Sequence, residues 1–176
     1  MAEKHVHSQV VYKKAVELLE QRGVTIEAIA EIVHFLQESY IPNLSNEQCM
    51  ESVQAVLKKR EVQNALLTGI QLDILAEQKH LLSPLQEMLE ADESLFGVDE
   101  VLSLAIVNLY GSIGFTNYGY VDKLKHGILQ KLNDKKNGVH TFLDDLVGAI
   151  AAAASSRLAH RHRLEEEDQE AAMLED

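Results

Sequence analysis

The sequence predicts an all-α fold, a compact multi-helix bundle with one central apolar helix surrounded by the others. Three observations carry this reading. Apolar residues recur at helical spacing along most of the chain. Ala, Leu, Glu, Gln and Lys, all good helix formers, dominate, and only two prolines occur, Pro42 and Pro84. No stretch alternates between apolar and polar residues for long enough to make a strand.

The elements follow in order. Residues 9–22 place Val10, Val11, Ala15, Val16, Leu18 and Leu19 at helical spacing, and Gly23 is a good stop. Thr25 caps a second helix built on Ala28, Ile29, Ile32, Val33 and Leu36. Ser45 opens a third, and Gln48 completes a capping box with it. The pattern stays helical from Asn46 to Glu77, with one break expected near Arg60–Glu61 or at Gly69. Pro84 fits the first turn of the next helix, with Ser83 as its cap, and this helix runs to Ala91. Gly97 introduces an apolar helix over 98–109.

Residues 110–120 depart from helical composition, and Gly111, Gly114 and Gly119 predict a turn packed against a neighbour. Helix returns over 121–132, and Asn133 to Gly138 form a charged turn. His140 or Thr141 starts the last helix, which is Ala-rich through Ala159 and ends among Arg157, His160, Arg161, His162 and Arg163. The segments Ala105-Ile106-Val107 and Ala149 to Ala154 are the candidates for central positions, since small side chains let helices approach closely. Residues 1–163 form a single domain, and 164–176 an acidic tail expected to fray.

Composition narrows the function. The formal net charge of −12 argues against a general nucleic-acid or anionic-membrane binder, which needs positive surface. The single cysteine, Cys49, allows no intramolecular disulfide. The N-terminal residues, with His5 and His7 in an expected mobile terminus, do not read as a signal peptide. No run of about 18 apolar residues is apparent, so no transmembrane helix is expected. These features predict a cytoplasmic protein. A Leu-rich helix face predicts a homo-oligomer.

Chemistry concentrates in the C-terminal half. Asp144-Asp145 stands at the start of a very apolar helix, and Asp99-Glu100 opens another. Buried carboxylates are costly unless paired or bound to a cation, although the same pairs also complement a helix dipole. Two such pairs converging from separate helices would suit a hard divalent cation, which takes oxygen ligands. Asp122 and Lys125 share a helix face, and the lysine could neutralise a phosphate or make an ordinary ion pair. No Walker motif and no His-Glu-x-x-His is present, and His160 and His162 read as cations at a helix C-terminus.

The stretch from Asp99 to about Ala154 resembles the phosphatidylglycerophosphatase A family, especially its soluble YutG-like branch. The family's membrane enzymes carry Trp-Asp-Glu, matched by Val98-Asp99-Glu100. Their aromatic-Arg-Ile-Leu-Asp-x-x-Lys-Pro is matched by Tyr118-Gly-Tyr-Val-Asp122-Lys-Leu-Lys125-His, and their Ile-Asp-Asp-Ile-Val-Ala-Gly by Leu143-Asp144-Asp145-Leu-Val-Gly-Ala. The order and rough spacing agree. The chain departs from them at Leu66-Leu-Thr68-Gly69-Ile-Gln, where they carry Pro-Gly-Thr-x-Gly-Ser, at Lys125-His126, where they carry Lys-Pro, and at Gly119, where they carry the motif arginine; their transmembrane helices are not expected here.

The resemblance implies magnesium-dependent removal of phosphate from phosphatidylglycerophosphate or a related phosphate ester. The substrate would be met without a transmembrane segment, as a soluble ester or a phospholipid head group at the membrane surface. Carried over by position, Asp99, Glu100, Asp122, Asp144 and Asp145 would be metal or catalytic residues, with Mg2+ or another hard divalent cation as cofactor. Lys125 would contact phosphate. The competing reading is a non-catalytic helical binding module that keeps the acidic site.

Overall fold

The computed structural model describes residues 6–174, and His5 lies outside them. Among these residues every regular element is helical. The α-helices are α1 Ser8–Gln21, α2 Ile26–Gln37, α3 Asn46–Leu57, α4 Arg60–Glu77, α5 Leu85–Ala91, α6 Val98–Val107, α7 Gly111–Leu124, α8 Ile128–Leu132 and α9 Leu143–Leu174. Short 3-10 turns cover Asn108–Tyr110 and Lys135–Asn137.

The N-terminal helices begin where local chemistry places them. Thr25 accepts from the Ala28 amide at 3.1 Å. Ser45 and Gln48 close the capping box, each side chain accepting the other residue's backbone N–H. His7, expected in a mobile terminus, instead caps α1 through Nδ1, which accepts from the Gln9 amide. The helical run from Asn46 breaks between Leu57 and Arg60, and Gly69 stays inside α4. Ser83 does not cap α5: its hydroxyl donates to Glu87, and Pro84 takes the N-cap position.

The first half of α9 is the central helix. Residues Ala149 to Ala154 are completely buried, and α2, α3, α4, α6, α7 and α8 all pack against α9. The alanines leave no side-chain bulk, so backbones come close on several sides at once. Ile106 and Val107 are buried as expected, whereas Ala105 is exposed, because α6 is covered on one face by α4 and α9 and open on the other.

Three expectations in the C-terminal half change. The glycine-rich stretch is mostly helix: only Asn108–Tyr110 turns, with Gly111 at a φ of 71°, and α7 follows. Gly114 earns its place by close packing, since a Cβ there would meet Val107 at 3.3 Å. Contact with α9 overrides the weak helix propensity of these residues. The helix expected over 121–132 breaks after Leu124, where Lys125 adopts a left-handed conformation and Gly127 follows with a φ of 61°. The last helix begins at Leu143 rather than at His140 or Thr141, because its first amides are capped from another helix. Asp73 of α4 accepts from Phe142 N at 3.1 Å and from Leu143 N at 3.0 Å.

Residues 98–124 are long and apolar enough to cross a membrane by length and composition, with a mean hydropathy of 1.3. This differs from the sequence expectation. The stretch is nevertheless folded back on itself. Near its start Asp99 meets Asp145, at the turn Tyr110 O accepts from Ser156 Oγ at 2.7 Å, and at its end Asp122 and Asp144 share Lys125. Thus α6 ascends along α9 and α7 descends it.

Residues 164–174 continue α9 as exposed helix. His160 and His162 therefore sit within the helix rather than at its end. Pairs at i, i+4 spacing line this segment: Arg161–Glu165, His162–Glu166 and Arg163–Glu167.

Two glycines test how far packing outweighs propensity. A Cβ at Gly69 would meet Leu146 Cδ1 at 2.6 Å and Phe142 Cβ at 2.9 Å, while one at Gly119 meets nothing within 4 Å. Gly69→Ala should destabilise by about 1–3 kcal/mol through overpacking. Gly119→Ala should stabilise by about 0.5–1 kcal/mol. Urea denaturation of the two variants checks both signs.

Candidate metal centre

The α6–α7 hairpin and the start of α9 bring all six sequence-predicted residues to one end of the bundle. Asp99 and Glu100 occupy the first turn of α6, and Asp144 and Asp145 the first turn of α9. Unpaired backbone N–H groups at helix N-termini favour negative charge at both places. Asp99 accepts from the Glu100 amide at 3.0 Å, and Asp144 from the Asp145 amide at 2.9 Å. Asp122 and Lys125 come from the C-terminal end of α7, where cationic charge is favoured.

The six residues fall into two adjoining groups. In the first, Asp99, Glu100 and Asp145 each offer a carboxylate oxygen, all within 4.8 Å of one another. Asp99 and Asp145 are buried and Glu100 is exposed. In the second, Lys125 Nζ donates to Asp122 Oδ1 at 2.7 Å and to Asp144 Oδ2 at 2.9 Å. Its 3.9 Å approach to Asp145 Oδ1 joins the two groups. Asp122 and Asp144 thus hold the lysine, and the set expected to bind metal divides between three acids that could hold a cation and an ion-pair network.

The electrostatics follow from burial and crowding. Burial pushes Asp99 up to about 7, and neighbouring Glu100 adds to the shift. Burial pushes Asp145 up to about 8, with Asp144 the next cause, despite the opposing pull of Lys125. Asp144 is also raised by burial, against the pull of Lys125. For Lys125 burial works against the charge, but Asp144 and Asp122 outweigh it and the ammonium is held above its usual range. One ammonium therefore answers several carboxylates. The remaining oxygen donors suit a hard divalent cation, which takes carboxylate ligands and relieves their repulsion.

Two hydroxyls not singled out in the sequence lie one helical turn beneath these carboxylates. Ser103 follows Asp99 by four residues and Tyr118 precedes Asp122 by four, so each shares a face with its acid. Both hydroxyl oxygens are buried, and they lie close to each other. A Cβ at Gly148 would touch the Tyr118 ring at 3.7 Å, which places the ring against α9 one turn past Asp144. The i±4 spacing from an acid was the available signal. Asp73 was also missed. It sits on a buried, mostly apolar stripe of α4, and only the fold reveals that it faces the start of α9.

The model of the family described as Phosphatidylglycerophosphatase A matches residues 15–160. The chain belongs to this family. Within reach of the same fold are relatives along nearly its full length. YutG, an uncharacterised protein of Bacillus subtilis (strain 168), is 63% identical over 164 residues, covering 93% of this chain and 98% of the relative. A Bacillus stearothermophilus protein of unknown function has a structure with 64% identity and a TM-score of 0.84, over 85% of this chain and 94% of its own. The crystal structure of the low temperature requirement C protein from Listeria monocytogenes shows 59% identity and a TM-score of 0.86, over 89% and 99%.

The raised carboxyls would give cation binding a definite pH dependence. Asp99 and Asp145 are held above their unfolded values, so between about pH 4 and 8 the folded chain carries more protons than the unfolded one. Their contribution to stability is present at low pH and lost as pH rises through this window. A cation must displace those protons. The rise in melting temperature caused by a fixed Mg2+ concentration should therefore be larger at about pH 8.5 than at about pH 6. Thermal unfolding at the two pH values, with and without Mg2+, checks the sign.

Proposed function

We propose that the protein is a metal-dependent phosphatase of the phosphatidylglycerophosphatase A type, hydrolysing a phosphate monoester. The observation that carries this reading is the meeting of Asp99, Glu100 and Asp145 at one point, with Lys125 fixed beside them. Family membership supports it.

In this reading Asp99, Glu100 and Asp145 hold Mg2+ or another hard divalent cation. Bound there, it would polarise a phosphoryl oxygen and lower the pKa of water. Lys125 supplies a fixed positive charge next to the cation site, where an incoming phosphate adds negative charge. Asp122 and Asp144 hold the ammonium in place before substrate arrives. The phosphate must compete with these two carboxylates for Lys125, which makes the lysine an orienting contact. Attack falls to water or to one of the site aspartates.

The setting agrees with a cytoplasmic protein reaching its substrate from the water side. A net charge of −12 works against close docking on an anionic bilayer, so water-soluble esters belong in the assay beside phosphatidylglycerophosphate. Leu95, in the turn before α6, and Val98 and Val101 of α6 stand exposed and support a homo-oligomer. Sedimentation velocity of the purified chain should give a mass above 19.7 kDa.

The decisive experiment measures inorganic phosphate released from these esters with Mg2+. Release should require the cation and fall by roughly 100-fold or more in Asp145→Asn, the scale expected for loss of an essential electrostatic group. A Mg2+-dependent rise in melting temperature without hydrolysis of any ester would point instead to a binding module.

A further inference from the structure

One face of α4 templates the segment that enters the candidate metal centre. Gly69, Asp73 and Glu77 are spaced four residues apart and so lie in one row. Each meets a successive part of the chain from Gly138 to Leu146. Gly69 leaves the space that Phe142 and Leu146 fill. Asp73, completely buried, accepts from the Phe142 and Leu143 amides. Glu77 accepts from Val139 N at 2.9 Å and pairs with Arg22, whose guanidinium also donates to Val139 O at 2.7 Å. Gly138 has a φ of 124°, a conformation that favours glycine, and a Cβ there would run into the Glu77 carboxylate.

Capping alone does not explain a buried acid on a distant helix. A Ser, Thr or Asp next to the helix would cap α9 without burying a carboxylate inside another element. The local side chains do not do so: that of Phe142 has no acceptor, and the Thr141 hydroxyl donates to Leu89 O at 2.7 Å. A local cap would also move with α9. A cap reaching from α4 ties the first turn of α9, and hence Asp144 and Asp145, to the scaffold.

We propose that Asp73 is a positioning residue for the metal centre, holding Asp144 and Asp145 in register with Asp99 and Glu100 by capping α9 from α4. This rests on the cation-binding reading above. Partners that orient the ligands of a metal are worth about 10–100-fold in affinity.

The test titrates the full chain with Mg2+ alone by calorimetry, which needs no substrate. Asp73→Ala should raise the Mg2+ dissociation constant by about tenfold or more. Asp73→Asn, whose amide oxygen can take the place of Oδ2 and accept from both N–H groups, should raise it by less than Asp73→Ala does. Ser52→Ala is the control. It removes a buried hydrogen bond to Ala154 O, ten residues along α9 and about 15 Å from Asp144. It should lower the melting temperature and leave the dissociation constant unchanged.

A wild-type dissociation constant in Asp73→Ala overturns the proposal, and where that variant does not fold the same result in Asp73→Leu, which also removes both acceptors, does so. So does an equal weakening in Ser52→Ala, which would mean that any loss of stability loosens the site. Failure of the unaltered chain to bind Mg2+ removes the cation-binding reading and this inference with it, an outcome distinct from normal binding by the Asp73 variants.

Discussion

Repulsion among carboxylates at one end of α9 is the constraint around which this end of the protein is built. Asp99, Asp144 and Asp145 are largely withdrawn from water, where each charge costs free energy and raises the cost of the next. The fold answers in three ways. It starts α6 and α9 at the site, so that helix N-termini face the acids. It inserts Lys125, half enclosed, between Asp122 and Asp144. It leaves the oxygens of Asp99, Glu100 and Asp145 close enough for a dication to bridge. Such an arrangement adds little to stability by itself, since desolvation offsets the ion pairs. A dication held by Asp99, Glu100 and Asp145 would offset that cost.

The rest of the bundle makes this crowding possible. A central helix of consecutive buried alanines lets α6 and α7 lie close along α9, one ascending and one descending. The turn at Asn108–Tyr110 is therefore as much a part of the site as the acids. It returns the chain so that Asp122, distant from Asp99 in sequence, ends at the same level of α9. The abrupt left-handed stop at Lys125 then turns that residue inward toward Asp144 instead of letting α7 run on.

Much of this was legible beforehand. The capping box at Ser45, the Thr25 cap and the buried alanine run were readable because each depends on residues adjacent in sequence or on a simple period. The acidic pairs were readable because charge at the head of an apolar helix is conspicuous. The division of labour among them was not. Nothing local distinguishes Asp144, which holds Lys125, from Asp145, which also faces Asp99 and Glu100. The glycine-rich segment misled for a related reason: propensity describes an isolated chain, and packing on α9 outweighs it here.

By itself, the sequence determined that the chain is helical, where most helices begin, and which acids are candidates for the chemistry. Those properties follow from side-chain period, capping chemistry and composition, all of which act over a few residues. Only the tertiary structure decided that α6 and α7 form a hairpin, that Asp73 caps a helix 70 residues further on, and which oxygens meet. These depend on distances between elements, and such distances are set by the packing of whole helix faces rather than by any neighbouring residue.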